Sequence, residues 1–440
     1  MQVEQFDMVY CEGWDPEARA IAGPIRPAEA RRRDDAGEEY AILVLGGSRP
    51  RALIEISWRH YSCVVWGFDD NVRRVLKRDF RRLDEQRVLF LVEETEWNYP
   101  EPAQPEFGSE APRQVARTRL GSSGNQVLIS TEQGQRSVDA SRAALTRVAP
   151  SFGEWLHLLV EDDAGRETGA MRMPPADDPL AQLAALSGQE VMWRMKPVLP
   201  GDGSGSRLVE RFPPPLGVAT KPATGPNWSP PRPMQPDARI LDLTRPQQEV
   251  LLRDERLLVE SHRAGLLRLP TGRVVACAPD DYFLAERQPF TVAVPPGNYD
   301  LVLRVARGSD ELGFDPRVAA AGIAIGEERA VTWELALLPG EDPRLLRDGE
   351  AYCFGVDGGT ACFMDAAAVH RVAGMYREDD HPLRDGEVAG VRTAGVDEPE
   401  SGANVLAFES GWGDGCYPVW IGRTESGDVV SFVADMRLFA

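Results

Sequence analysis

The sequence predicts an α+β N-terminal domain followed by a mainly antiparallel β domain, sandwich or barrel-like in form. Three observations predict it. At 440 residues the chain exceeds the roughly 250–300 residues beyond which one hydrophobic core stops growing. The stretch 196–240 carries eleven prolines, among them Pro213-Pro214-Pro215 and Pro230-Pro231, beside the run Gly201-Asp202-Gly203-Ser204-Gly205. After Gly272, short valine-rich and aromatic runs alternate with turn residues, the spacing of a sandwich or barrel. The expected division is residues 1–195 as an α+β domain, 196–240 as a linker and 241–440 as a mainly-β domain.

In the first domain, residues 40–45, 52–56 and 62–68 read as strands, the last rich in the valine and aromatic residues that suit a pleated surface. Asp69-Asp70-Asn71 offers N-cap side chains, and Val72, Val75, Leu76, Phe80 and Leu83 follow at helical spacing, so an amphipathic helix is expected over about 71–85. Residues 88–92 return to strand. A hairpin is expected from 114–120 and 126–131 around Gly121-Ser122-Ser123-Gly124, then a strand over 155–160 and a short helix over 178–186 capped near Gly188. Proline removes backbone donors and glycine raises the entropy of the unfolded chain, so 196–240 should hold neither helix nor central strand, with Phe212 and Trp228 as pins onto a neighbouring domain.

The second domain opens with 249–260, whose leucines and charges fit a helix, and then turns to strands. Residues 290–294 and 299–305 should form a hairpin about Pro295-Pro296-Gly297-Asn298, because proline fixes one φ and glycine accepts the positive φ that follows. Further strands are expected at 318–325, 330–338, 352–356, 405–409, 419–423 and 429–434.

Composition excludes several classes. The 42% apolar and 27% charged residues are those of a folded globular chain, not of a disordered, collagenous or coiled-coil one. Subtracting 69 acidic from 49 basic side chains leaves −20, which repels nucleic-acid phosphates and favours a basic or neutral partner. No run approaches the roughly 18 apolar residues of a membrane span. The N-terminus lacks the basic region and apolar stretch of a secretory signal, and the six cysteines never form a C-x-x-C pair. All six are therefore read as reduced thiols, without structural zinc, in a cytoplasmic protein.

Two segments carry a resemblance. Gly355-Val356-Asp357-Gly358-Gly359-Thr360-Ala361-Cys362-Phe363-Met364-Asp365 and Glu409-Ser410-Gly411-Trp412-Gly413-Asp414-Gly415-Cys416-Tyr417-Pro418-Val419-Trp420 resemble the two signatures of a bacterial domain family of unknown function, the four-two-four-one family. Residues 270–277 and 290–305 are also similar to it, so the resemblance covers about 250–440 and leaves the first domain untouched. It implies no established reaction and no catalytic residue. Members of the family resemble accessory proteins of bacterial toxin and immunity neighbourhoods.

Three groups of side chains are candidates for function. Asp357, Asp365, Glu409 and Asp414, with Asp435 on the last strand, could hold a hard cation or divide acid and base roles; the competing and preferred role is bonding to their own turn backbones. Trp412, Tyr417 and Trp420 could stack on a ligand or partner, against the preferred role of core anchors. Arg73, Arg74, Lys77, Arg78, Arg81 and Arg82 would gather on one face of the expected helix and could hold phosphate or an acidic loop. The competing role there is a solvated face neutralised by Asp79, Asp84 and Glu85, since no aromatics interleave with the arginines in sequence. The five histidines show no H-x-x-x-H or H-E-x-x-H spacing, there is no G-x-S-x-G elbow, and Gly411–Gly415 lacks the Lys-Ser/Thr ending of a phosphate loop. The expected function is a non-catalytic binding protein, an immunity or accessory factor that occludes a toxin, without cofactor or metal and with another protein as partner. The alternative is a metal-assisted enzyme built on the carboxylates of the β domain.

Overall fold

The computed structural model describes residues 4–439, apart from 84–87, 109–110, 112, 122–123, 132, 141–144, 160–205, 222–224, 254, 281–283, 285–286, 309–313 and 379–381. The chain divides into two compact units, Met1–Arg232 and Pro233–Ala440.

Among the described residues, unit 1 is one large sheet with a helix. Its strands are β1 (Glu4–Asp15), β2 (Ala20–Pro24), β3 (Tyr40–Gly46), β4 (Arg49–Ser57), β5 (Ser62–Phe68), β6 (Arg74–Leu83), β7 (Val88–Trp97), β8 (Arg113–Gly121), β9 (Gly124–Thr131), β10 (Gly134–Ala140), β11 (Thr146–Val148), β12 (Ser206–Glu210) and β13 (Thr220–Lys221), and α1 is Pro27–Ala36. The order β10-β9-β8-β7-β6-β5-β4-β3-β1-β2-β13 keeps most sequence neighbours side by side, with β11 on β7 and β12 on β1. β3 is buried from Tyr40 to Leu45, as its unbroken apolar run requires. On one face Val9, Cys11, Trp14, Ile21, Leu43 and Leu53 form a core cluster. α1 begins with Pro27, ends at Gly37 in the left-handed region, and is tied to the strands by an ion pair from Arg33 to Glu12 at 2.8 Å and a hydrogen bond from the Tyr40 hydroxyl to Asp34 at 2.7 Å.

Several expectations change here. The helix expected over about 71–85 does not form: of its described residues, Arg74–Leu83 are β6, paired with β5 and β7. The strand expected over 155–160 is not found in its described part, residues 155–159, where Leu156–Leu158 is a short 3₁₀ turn beside the buried Trp155. The helix expected at 178–186 lies outside the described residues. The stretch 196–240 is more than a spacer. β12 and β13 pair in parallel with β1 and β2, and the Trp228 indole donates to the Glu12 carbonyl at 3.0 Å. β12 contains no proline, so its backbone donors remain available for pairing. From Pro233 onward the chain belongs to unit 2.

Unit 2 is a β-sandwich. A seven-stranded sheet has the order β14 (Gln247–Leu252), β15 (Glu255–Leu269), β17 (Gly297–Arg307), β18 (Arg317–Ala324), β27 (Val429–Asp435), β26 (Val419–Arg423) and β19 (Thr332–Leu335). A five-stranded sheet has the order β16 (Val274–Cys277), β21 (Thr360–Asp365), β24 (Asn404–Glu409), β23 (Val391–Asp397) and β22 (Arg384–Val388), and β20 (Phe354–Val356) pairs with β25 (Gly415–Tyr417). The pairings are antiparallel. Leu267, Leu301, Leu303, Ile323 and Phe432 of the larger sheet share one core with Val274, Phe363, Val391 and Phe408 of the smaller. A second cluster, with Ile240 and Leu241 of α2 (Ala238–Leu241), covers the outer face of the larger sheet. A third lies between the smaller sheet and α3 (Val369–Glu378), which contributes Val369 and Val372.

Two further expectations are corrected. Residues 249–252 and 255–260, expected as a helix, belong to the paired strands β14 and β15, where the deeply buried Leu257 and Val259 alternate with the less buried Leu258 and Glu260. Residues 299–305 lie in β17, but 290–294 do not pair with them. Phe290 donates instead to the Val274 carbonyl, Thr291 to Leu337 and Val294 to Gly272.

Candidate functional site

The two glycine-rich segments singled out in the sequence come together as facing loops. The turn Asp357-Gly358-Gly359 joins β20 to β21, and Ser410–Asp414 joins β24 to β25. Gly358, Gly359 and Gly413 take φ of 87°, 67° and 107°, values that glycine adopts without steric cost. Asp414 Oδ1 accepts from the backbone N–H groups of Gly358 and Gly359 at 2.7 and 2.8 Å, and the Ser410 N–H donates to the Gly359 carbonyl at 3.0 Å. The Ser410 and Tyr417 hydroxyls both donate to the Gly413 carbonyl, at 2.7 and 2.6 Å. A disulfide between Cys353 and Cys416, with Cα atoms 5.5 Å apart, fastens the chain just before β20 to β25. The reading of six reduced thiols is therefore overturned for this pair. Cysteines 63 residues apart in sequence give no spacing signal, because only the β20–β25 pairing brings them together. The cytoplasmic expectation loses the support it drew from that reading.

The carboxylates do not converge. Asp365 is fully buried and accepts from the Thr271 backbone N–H at 2.9 Å, the Thr271 hydroxyl at 2.6 Å and the Ala367 N–H at 2.8 Å. Glu409 is bound by Arg392, whose Nε donates at 2.7 Å and whose backbone N–H donates at 3.1 Å. Asp414 is the loop clamp, and Asp357 is exposed beside it. Asp435 accepts from the Arg437 N–H, and burial raises its carboxyl above the ordinary range. Among the described residues, no three His, Cys, Asp or Glu side chains are grouped so as to hold a metal ion.

The aromatic candidates separate. Tyr417 and Trp420 are each 4% exposed and sit in the cores on opposite faces of the larger sheet, while Trp412 is 55% exposed at the crest of its loop. The Arg317 guanidinium lies 4.8 Å from the Trp412 ring centroid and donates to the Gly411 carbonyl at 3.2 Å, and Phe314 meets the same indole edge-on at 6.2 Å. The result is an amphipathic platform: an indole face open to solvent, backed by a cation and a second ring.

The basic candidates of unit 1 form no single patch. Strand alternation sends Arg78 and Arg82 to one face of β6 and Lys77 and Arg81 to the other. Four of the six are paired with carboxylates. Arg73 pairs with Asp69 at 2.8 Å, Arg74 with Glu106 at 2.9 Å, Arg78 with Glu94 at 2.6 Å, and the buried Arg81 with Asp79. Aromatics do accompany these cations, but they come from other strands and loops. Arg74 lies between Trp66 and Phe107, at 4.7 and 4.8 Å, Lys77 is 5.5 Å from the Trp66 centroid, and Arg73 is 4.7 Å from that of Tyr99.

Comparison with known proteins bears on the sandwich and its two loops. Residues 267–434 match the family described as protein of unknown function (DUF4241). The DUF4241 match contains both facing loops, the disulfide and Trp412, spans less than half of the chain and does not reach unit 1. No curated protein and no solved structure matches the chain. The DUF4241 description names no reaction, so the chemistry of the site rests on the geometry above.

Proposed function

We propose that the chain is a non-catalytic binding protein, an immunity or accessory factor that blocks a protein toxin by occlusion, with the Trp412 loop of unit 2 as its contact surface. The observation that carries this reading is the pairing of an open indole with a rigid support. Trp412 is more than half exposed on a loop fixed by the Cys353–Cys416 disulfide, the Asp414 clamp and two hydroxyls on one carbonyl. A preorganised aromatic loses little entropy on binding, and tryptophan is enriched among the residues that dominate interface energies. Of the carboxylates that an enzyme would need, Asp365, Asp414 and Glu409 are engaged in turns or an ion pair, and they do not converge with the exposed Asp357 on one centre. The net charge of −20 would speed encounter with a basic partner and make association sensitive to salt.

The test is co-expression with the products of neighbouring genes, followed by titration calorimetry of any complex. The expected result is a stoichiometric complex that Trp412→Ala weakens by about 30-fold, corresponding to a hot-spot loss of about 2 kcal/mol, and that rising salt weakens further. A complex whose affinity is unchanged by Trp412→Ala, or neighbours that never associate with the chain, would remove the basis for this reading.

A further inference from the structure

Unit 2 holds a second pair of cysteines. Cys277, the last residue of β16, and Cys362 of β21 are register partners on adjacent antiparallel strands, with their sulfur atoms 3.7 Å apart. Both are fully buried, in the cluster that also contains Leu284, Met364, Val372 and Ala407. Opposed residues of antiparallel strands have Cα atoms about 4.5–5.5 Å apart, inside the range of about 4.4–6.8 Å that disulfides span. The sulfurs therefore need only side-chain rotation to bond.

The geometry points to Cys277–Cys362 as a second disulfide site, closed by an oxidant of the disulfide class. The chemistry balances without a metal or cofactor. One thiolate attacks a sulfur of oxidised glutathione, one glutathione thiolate leaves and takes up a proton, and the second cysteine displaces the other glutathione to close the bond. Two protein thiols are oxidised and one glutathione disulfide is reduced to two thiols. Burial holds the Cys362 thiol well above its usual range, so attack follows local opening of the α3 cover, and the exchange is slow in the folded protein.

The position of the bond gives it a consequence. In the five-stranded sheet β16 is an edge strand whose partner is β21, so the cross-link would fasten that edge. Cys353 precedes the Asp357-Gly358-Gly359 turn and Cys362 follows it, so with both bonds closed the turn would be held on either side.

The experiment uses the full chain incubated with oxidised glutathione, with and without sub-denaturing urea to promote opening. It is then quenched in acid, alkylated in denaturant and mapped by mass spectrometry. Four thiols are available before treatment, those of Cys11, Cys63, Cys277 and Cys362. The expected result is a fall to two, a cross-linked Cys277–Cys362 peptide, and slower amide hydrogen exchange over Val274–Cys277. The Cys277→Ser variant should show neither cross-link nor slowing. Four alkylated thiols after treatment in urea, or glutathione retained on Cys277 or Cys362 without a cross-link between them, would overturn the assignment. So would slowing of exchange that persists in Cys277→Ser.

Discussion

Asp365 offers the sharpest test of whether the acidic residues are structural. Its two oxygens accept three hydrogen bonds, two from Thr271 at the entrance to β16 and one from Ala367 at the turn before α3. The carboxylate thus joins an edge strand, its partner and the helix that covers them. Removing it in Asp365→Ala deprives three donors of their shared acceptor and leaves its fully buried position empty. Hydrogen bonds to charged groups contribute about 1.5–3 kcal/mol each, and relaxation with water entry keeps single substitutions below the simple sum, so about 4 kcal/mol is expected. Asp365→Asn keeps an oxygen for the Thr271 hydroxyl and the Ala367 N–H but turns an NH₂ toward the Thr271 N–H, at a cost of about 2 kcal/mol. Urea denaturation followed by tryptophan fluorescence should resolve this in the transition of unit 2. With a slope of about 2 kcal/mol per molar, the midpoint should fall by about 2 M for the alanine variant and about 1 M for the asparagine variant. Midpoints within about 0.2 M of the parent would refute the reasoning, because such a carboxylate would not be holding the turn.

Other outcomes follow from the same structure. Replacing Cys353 and Cys416 together by serine should cost about 4 kcal/mol on the chain-entropy model for a cross-link spanning 63 residues, measurable by the same urea titration. Gly272→Ala should cost at least about 3 kcal/mol, because φ is +69° and an added Cβ would lie 1.9 Å from the Val294 carbonyl oxygen; a soluble variant with parental melting temperature would contradict this. In unit 1, burial raises the Glu55 carboxyl, against the opposing hydrogen bond from the Trp66 indole. The folded state therefore favours the protonated form, and that contribution is complete below the unfolded carboxyl pKa and lost as pH rises through the folded value. Glu55→Gln should accordingly melt close to the parent near pH 4 and above it near pH 8; a stabilisation that is larger in acid would reverse the sign.

How far the fold was legible in the sequence depended on where each strand's partners lie. Residues 62–68 and 419–423 could be read directly, since β-branched and aromatic side chains without competing helical spacing leave little choice. Residues 71–85 could not. Val72, Val75, Leu76, Phe80 and Leu83 suit a helix face, and what makes Arg74–Leu83 a strand is its pairing on both sides together with ion pairs to Glu94 and Glu106, which are distant in sequence. Tertiary context overrode local spacing there. The hairpin expected around Pro295-Pro296-Gly297-Asn298 failed for a related reason: the turn chemistry was present, but β17 found better partners in β15 and β18. At the candidate site, the G-D-G pattern suggested an aspartate bonded to its own turn backbone, but Asp414 accepts from Gly358 and Gly359 of the facing turn, and Asp365, which lies in neither glycine pattern, accepts from Thr271 and Ala367. Which aromatic would be open was not legible, since strand alternation separates Tyr417 from Trp420 without placing Trp412. The disulfide was hidden because its cysteines meet through a three-residue pairing that no local pattern announces.

The central claim is that the acidic residues of unit 2 shape and fasten loops rather than bind a cation. It is tested most directly by the melting temperature of the full chain with added calcium, magnesium or manganese, since a ligand bound only by the folded state raises that temperature. The account predicts no saturable rise with any of the three for the parent chain. A saturable increase that disappears in Asp357→Asn or Asp414→Asn would contradict it.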